Sequence, residues 1–194
     1  VTHDFHPSPA TRNLYEVTVT LTNVSPTTMT DVRYRRVMDW DIAPNTFSEY
    51  VDIQGTQSSP GVYRGNVLFA SNDGFATANP LGSRSSLGRT GDFVDVGPTD
   101  HGALFDFGFG SLAPGESKTF RIFYGAAGSQ SQATLAVGQA GAEVYSFGKA
   151  NIAYASGSTT GRTRAAAAPK PASRTRSSSP SRAWAPPRWC GRST

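Results

Sequence analysis

LYEVTVTLTN, residues 14–23, alternates without a break: Tyr15, Val17, Val19 and Leu21 fall on one side of an extended chain, and Glu16, Thr18, Thr20 and Thr22 on the other. A period of two over that length marks a strand with one buried and one wet face, because helical side chains repeat near 3.6. SPTT at 25–28 then supplies a turn. Residues 32–40 resume the alternation, with Val32, Tyr34, Met38 and Trp40 set against Arg33, Arg35, Val37 and Asp39. Arg36 falls on the apolar side, so this register predicts that it is paired or lays its aliphatic stem along the core. The two strands are expected to pair with each other, antiparallel. Upstream, the segment around His3 and His6 is expected to add a strand.

Downstream, residues 41–48 read as a connection and 49–54 as a short strand ended by Gly55. Residues 62–70 form another, closed by the turn Ser71-Asn72-Asp73-Gly74. Gly, Ser, Asn and Pro dominate 75–92, which predicts a long surface loop. Residues 103–109 and 118–124 alternate again around the turn Leu112-Ala113-Pro114-Gly115-Glu116-Ser117, a hairpin-like signal. Residues 130–139 are the one candidate helix, marginal by itself, and 143–147 give a last short strand. About seven short strands, one helix and no regular βα alternation predict a mainly β fold: an antiparallel sandwich.

Composition agrees. Of 194 residues, 37% are apolar, below the globular average of roughly 45–50%, with strand and turn formers filling the difference. The net charge of +4 conceals two objects: residues 1–161 hold ten Lys or Arg against fourteen acids, net −4, and 162–194 hold eight basic residues and no acid, net +8. Residues 1–161 are therefore read as the folded domain and 162–194 as a basic, disordered tail. Nucleic acid is a question for that tail alone, and is not the favoured partner. The single Cys190 lies in the tail, which rules out a disulfide or thiolate metal site within one chain. No apolar run approaches the roughly 18 residues needed to span a bilayer, and no signal peptide precedes Val1, so the chain reads as a fragment without its leader.

NLYEVTVTLTNVS at 13–25, VRYRRVMDWDI at 32–42 and GSLAPGESKTFRIFYG at 110–125 together resemble bacterial extracellular immunoglobulin-like modules of the cell-adhesion-related type. The longer strings GDFVDVGPTDHGALFDFGFGSLAPGES and GAEVYSFGKAN are similar to a group of secreted or surface-anchored bacterial proteins. The resemblance covers 1–151. It implies export to the cell surface, an immunoglobulin-like sandwich, and no reaction. The expected function is a non-catalytic structural or adhesive module, whose partners are other domains of a larger surface protein or a surface polymer. The alternative is a carbohydrate-binding or calcium-dependent adhesion module.

The tail invites its own reading. Its Arg, Ser, Pro, Ala and Trp content is what GC-rich coding DNA yields out of frame, and permitted codons for residues 174–185, read from the third base, spell DPFVFAVKGVG. That peptide alternates as a strand does, so a frameshift that replaced the closing strand is expected.

Candidate chemistry is sparse. Asp39 and Asp41 put two carboxylates on one strand face, and Glu49, Asp52, Asp92, Asp95 and Asp100 lie in or beside loops; oxygen-rich sites at sandwich ends hold calcium weakly in extracellular modules, although no dedicated calcium motif favours it here. The competing expectation makes them ion-pair partners of Arg33, Arg35 or Arg36. As paired carboxylates of a hydrolase they lack a cleft between them. Trp40, Tyr50 and Tyr63 are the candidates for stacking on sugar rings, against ordinary packing. His3 and His6, three residues apart on a strand, point to opposite faces and do not suggest a zinc site. Asp100-His101 lacks a nucleophile to complete a triad, so His101 is expected to be a loop histidine bonded to its neighbour. Gly108, Gly110 and Gly115 serve turns and form no phosphate loop. No catalytic residue is expected.

Overall fold

The computed structural model describes residues 1–84 and 88–152 and, further on, the backbone of one strand at 163–168. The alternating stretch of 14–23 becomes β2 (Leu14–Thr22), and the segment before it becomes β1 (Thr2–Pro7). The chain continues through β3 (Arg33–Asp39), β4 (Glu49–Gln54), β5 (Gln57–Ser59), β6 (Val62–Tyr63) and β7 (Val67–Ser71). Then follow β8 (Phe93–Thr99), β9 (Gly102–Gly108), β10 (Ser117–Ala127), helix α1 (Gln130–Gln139), β11 (Val144–Lys149) and β12 (Thr163–Ala168). The strands build a seven-stranded sheet, β1-β2-β10-β12-β11-β4-β8, a three-stranded sheet, β3-β9-β7, and the small β5-β6 ribbon. The fold is mainly β, and each of these pairings is antiparallel.

The two larger sheets share their apolar residues. Val51 and Ile53 of β4 and Val144 of β11 pack with Phe105 and Phe107 of β9 and with Trp40, all buried. Nearby, Val17, Val19 and Leu21 of β2 join Phe120 and Ile122 of β10, Val32 and Leu112. Side chains one residue off in β10 point to the opposite face, where Phe123 meets Leu14, Phe147 and the Ala133, Ala136 and Val137 stripe of α1. Ser129 caps that helix by accepting from the Gln132 N–H. Packing on the sheet is what sustains so short a helix.

Several pairings differ from expectation. β2 and β3 lie in different sheets, and so do β9 and β10. Both connections cross between layers at the same place: the Asn23 amide donates to Thr27 O at 2.8 Å and Leu112 O at 2.9 Å, tying one crossover to the other. The predicted strand of 62–70 breaks into β6 and β7 at Gly65, whose φ of +59° suits glycine. Residues 93–99, for which no strand is expected from the sequence, form β8.

The 75–92 stretch contains no strand or helix among its described residues, yet it covers the outer face of β3. Thr77 O accepts from Arg35 Nη1 at 3.0 Å, and Arg84 Nε donates to Asp106 Oδ2 at 2.8 Å. Arg35 is thereby buried on what the alternation gave as the wet face, and donates to Asp106 Oδ1 at 2.6 Å. Thr163–Ala168 also departs from the disordered tail expected from residue 162: it lies between β10 and β11 and pairs with both, satisfying ladder groups that would otherwise face a gap. The rest of that tail, including the frameshift reading of 174–185 and Cys190, lies outside the described residues. Among the described residues no helix is long and apolar enough to cross a membrane.

Candidate cation site

At one end of the two sheets, four acids converge from three places in the chain. Asp39 ends β3, Asp41 follows one residue after Trp40, Glu49 opens β4, and Asp100 sits in the turn between β8 and β9. Backbone pairing explains the meeting: Asp39 lies opposite Gly102 in the three-stranded sheet, and Glu49 lies opposite Thr99 in the seven-stranded one. The turn that carries Asp100 therefore bridges the layers. Gly102 makes the approach close, since a Cβ there would stand 1.9 Å from Met38 O. Each acid offers a carboxylate oxygen, and the four atoms lie within 4.8 Å of one another.

Asp39, Asp41 and Asp100 are exposed while Glu49 is fully buried. Glu49 Oε2 accepts from the Ser48 N–H at 2.8 Å. Its other oxygen, Oε1, has no hydrogen-bond partner among the described residues. Burial raises the Glu49 pKa, and the charges of Asp100, Asp41 and Asp39 push it further, against the Ser48 N–H. Burial likewise raises that of Asp39, with Asp41 and Asp100 adding to the shift. Among the described residues no lysine or arginine forms an ion pair with any of the four. The expected pairing with the β3 arginines is corrected: Arg33 pairs with Asp31, Arg35 with Asp106, and Arg36 lines a cleft elsewhere on the molecule.

Neighbouring side chains hold this end in shape without joining it. His101 is buried, its Nε2 2.9 Å from Glu49 O and its Nδ1 2.9 Å from Asn72 Nδ2. A carbonyl only accepts, so Nε2 carries the hydrogen and Nδ1 accepts from the amide. Burial lowers the His101 pKa, which keeps the ring neutral. It is bonded across the fold, not to Asp100 as expected. Trp40, between two of the acids, is buried and donates from Nε1 to Ser146 Oγ at 3.0 Å. That removes it as a sugar platform.

No family model, curated protein or solved structure matches the chain. Its chemistry is therefore read from geometry alone. Of the other sugar-stacking candidates, Tyr63 packs against the core and its hydroxyl donates to Ala70 O at 3.3 Å. Tyr50 is half-buried on β4. His3 meets the Tyr34 hydroxyl at 3.2 Å and His6 bonds to Pro7 O at 3.1 Å, so the two do not converge. Sequence reasoning set Asp39 and Asp41 on one face and counted Glu49 and Asp100 among five acids in or beside loops, without singling those two out as their partners. The one available signal was an acid at each of two strand ends, which becomes informative only once the pairing is known.

Proposed function

We propose that this chain is a non-catalytic, calcium-binding module of an exported bacterial surface protein, built as an immunoglobulin-like sandwich with a structural or adhesive role. The observation that carries the reading is the convergence of four carboxylates without a basic partner, one of them buried with an orphaned oxygen. Calcium binds oxygen ligands at about 2.3–2.6 Å, so donors on opposite sides of one ion stand at most about 5 Å apart. A spread of 4.8 Å therefore suits a single shared ion. Magnesium keeps most of its waters and takes one or two carboxylates, and zinc favours nitrogen and sulfur ligands. Both ring nitrogens of His101 are already engaged.

An ion there would join the end of β3 to the start of β4 and so clamp the two sheets together. Sites in extracellular modules work at roughly 10⁻⁴–10⁻³ M calcium, which accords with the export that the sequence resemblance implies. A glycosidase is disfavoured because its carboxyl groups stand about 5–9.5 Å apart to admit the scissile bond.

Calorimetric titration tests the reading. The expected result is one calcium per chain, lost in an Asp39→Asn/Asp100→Asn double variant that still folds. No saturable heat up to about ten times the upper end of that affinity range, or binding retained in the double variant, would overturn it.

A further inference from the structure

Seven strands stand against three, so the smaller sheet leaves part of the larger one uncovered. β3 is an edge of the three-stranded sheet, and beside it a cleft of about 480 Å³ opens onto β1, β2 and β10. Register places Tyr15 opposite Tyr124, and Val17 opposite both Phe5 and Ile122, so these side chains share one face. Phe5 is 71% exposed and Tyr15 60%. Tyr34 and Arg36 of β3 supply the facing wall. Arg36 is half-buried and has no ion-pair partner among the described residues, and no acid lines the cleft. Asp4 and Glu16, next in sequence to lining residues, fall on the opposite face by alternation.

We propose that this cleft binds an acidic saccharide. Exposed aromatic faces on an ordered sheet match the C–H faces of sugar rings, and the hydroxyls of Tyr15 and Tyr124 match sugar hydroxyls, while that of Tyr34 is already bonded to His3. The Arg36 guanidinium matches a uronate carboxylate, in a bidentate geometry that lysine would not offer. An aliphatic ligand would cover Arg36 without giving its charge a partner, which is costly. β2 and β10 each have both edges paired, so the floor beneath Tyr15 and Tyr124 presents side chains, and the free backbone edges beside the cleft are those of β1 and β3. The cleft shares no residue with the acidic cluster, and the inference stands whether or not that cluster binds calcium.

The test is a titration, at fixed calcium, with a hexasaccharide of alternating glucuronate and N-acetylglucosamine, a galacturonate hexamer, and a neutral N-acetylglucosamine hexamer. At least one acidic probe is expected to bind about tenfold tighter than the neutral one, the scale of one charge-assisted hydrogen bond. Arg36→Gln should erase that preference, and Tyr15→Ala should weaken both classes while leaving the melting temperature unchanged. No binding of either acidic probe, equal binding of all three, or a preference that survives Arg36→Gln would overturn the assignment. So would concentration-dependent dimerisation abolished by Tyr15→Ala, which would assign the cleft to a second copy of the chain.

Discussion

Adding calcium should raise the thermal stability of this protein by an amount that can be worked out beforehand. A ligand that binds only the folded chain stabilises it by RT ln(1 + [L]/Kd). For affinities of about 10⁻⁴ to 10⁻³ M, 10 mM calcium contributes roughly 2.7 to 1.4 kcal/mol. A domain of this size shifts by about 2–4 °C per kcal/mol, so the melting temperature should rise by about 3–11 °C. Trp40 reports directly, because it is buried between two of the four acids. The assay is a near-ultraviolet circular dichroism melt in chelator and in calcium chloride, with sodium chloride balancing ionic strength and magnesium as the control ion. Asp100→Asn should lose most of the shift. A shift below about 1 °C against the expected range, an equal shift with magnesium, or an undiminished shift in Asp100→Asn would refute the clamp.

Three further expectations follow from the packing. Asp106→Ala should cost about 3–5 kcal/mol in denaturant unfolding, since it leaves the fully buried Arg35 without its counter-ion. Arg84→Ala should cost under about 1 kcal/mol, its side chain being 33% exposed. Gly148→Ala should destabilise by about 1–3 kcal/mol, because the added Cβ would stand 2.6 Å from Trp40 Cδ2; a neutral result would mean that the ring moves freely. The pKa values of Glu49 and Asp39 are raised on folding, by burial first and then by neighbouring carboxylates. Their contribution to stability is therefore complete below about pH 4 and is lost as pH rises through the raised folded values. In chelator, urea midpoints of the parent should thus fall across that acidic window relative to an Asp39→Asn/Glu49→Gln variant, and calcium should remove the difference.

Local pattern reached much of this fold. Alternation located β2 almost to the residue, the 49–54 strand was found with the same bounds, and the Ala, Leu and Gln content of 130–139 marked α1. Pairing was beyond it. The same inward-facing residues serve a strand whichever sheet it joins, so the short SPTT and LAPGES turns looked like hairpins although both cross between layers. Arg35 looked wet because nothing in β3 announces that Thr77 and Arg84 will fold over it. β8 escaped notice because Gly97 and Pro98 interrupt its period. The candidate site divides in the same way. Asp39 and Asp41 lie one pleat apart and were visible together, whereas Glu49 and Asp100 join them only through the β4–β8 and β3–β9 ladders. Burial of a carboxylate at a strand end leaves no trace in local periodicity.

Anomalous scattering from crystals grown in calcium tests the central claim most directly. A single peak about 2.3–2.6 Å from carboxylate oxygens of Asp39, Asp41, Glu49 and Asp100 is expected. A Glu49 carboxylate that remains without a metal contact, or calcium bound only elsewhere on the surface, would contradict it.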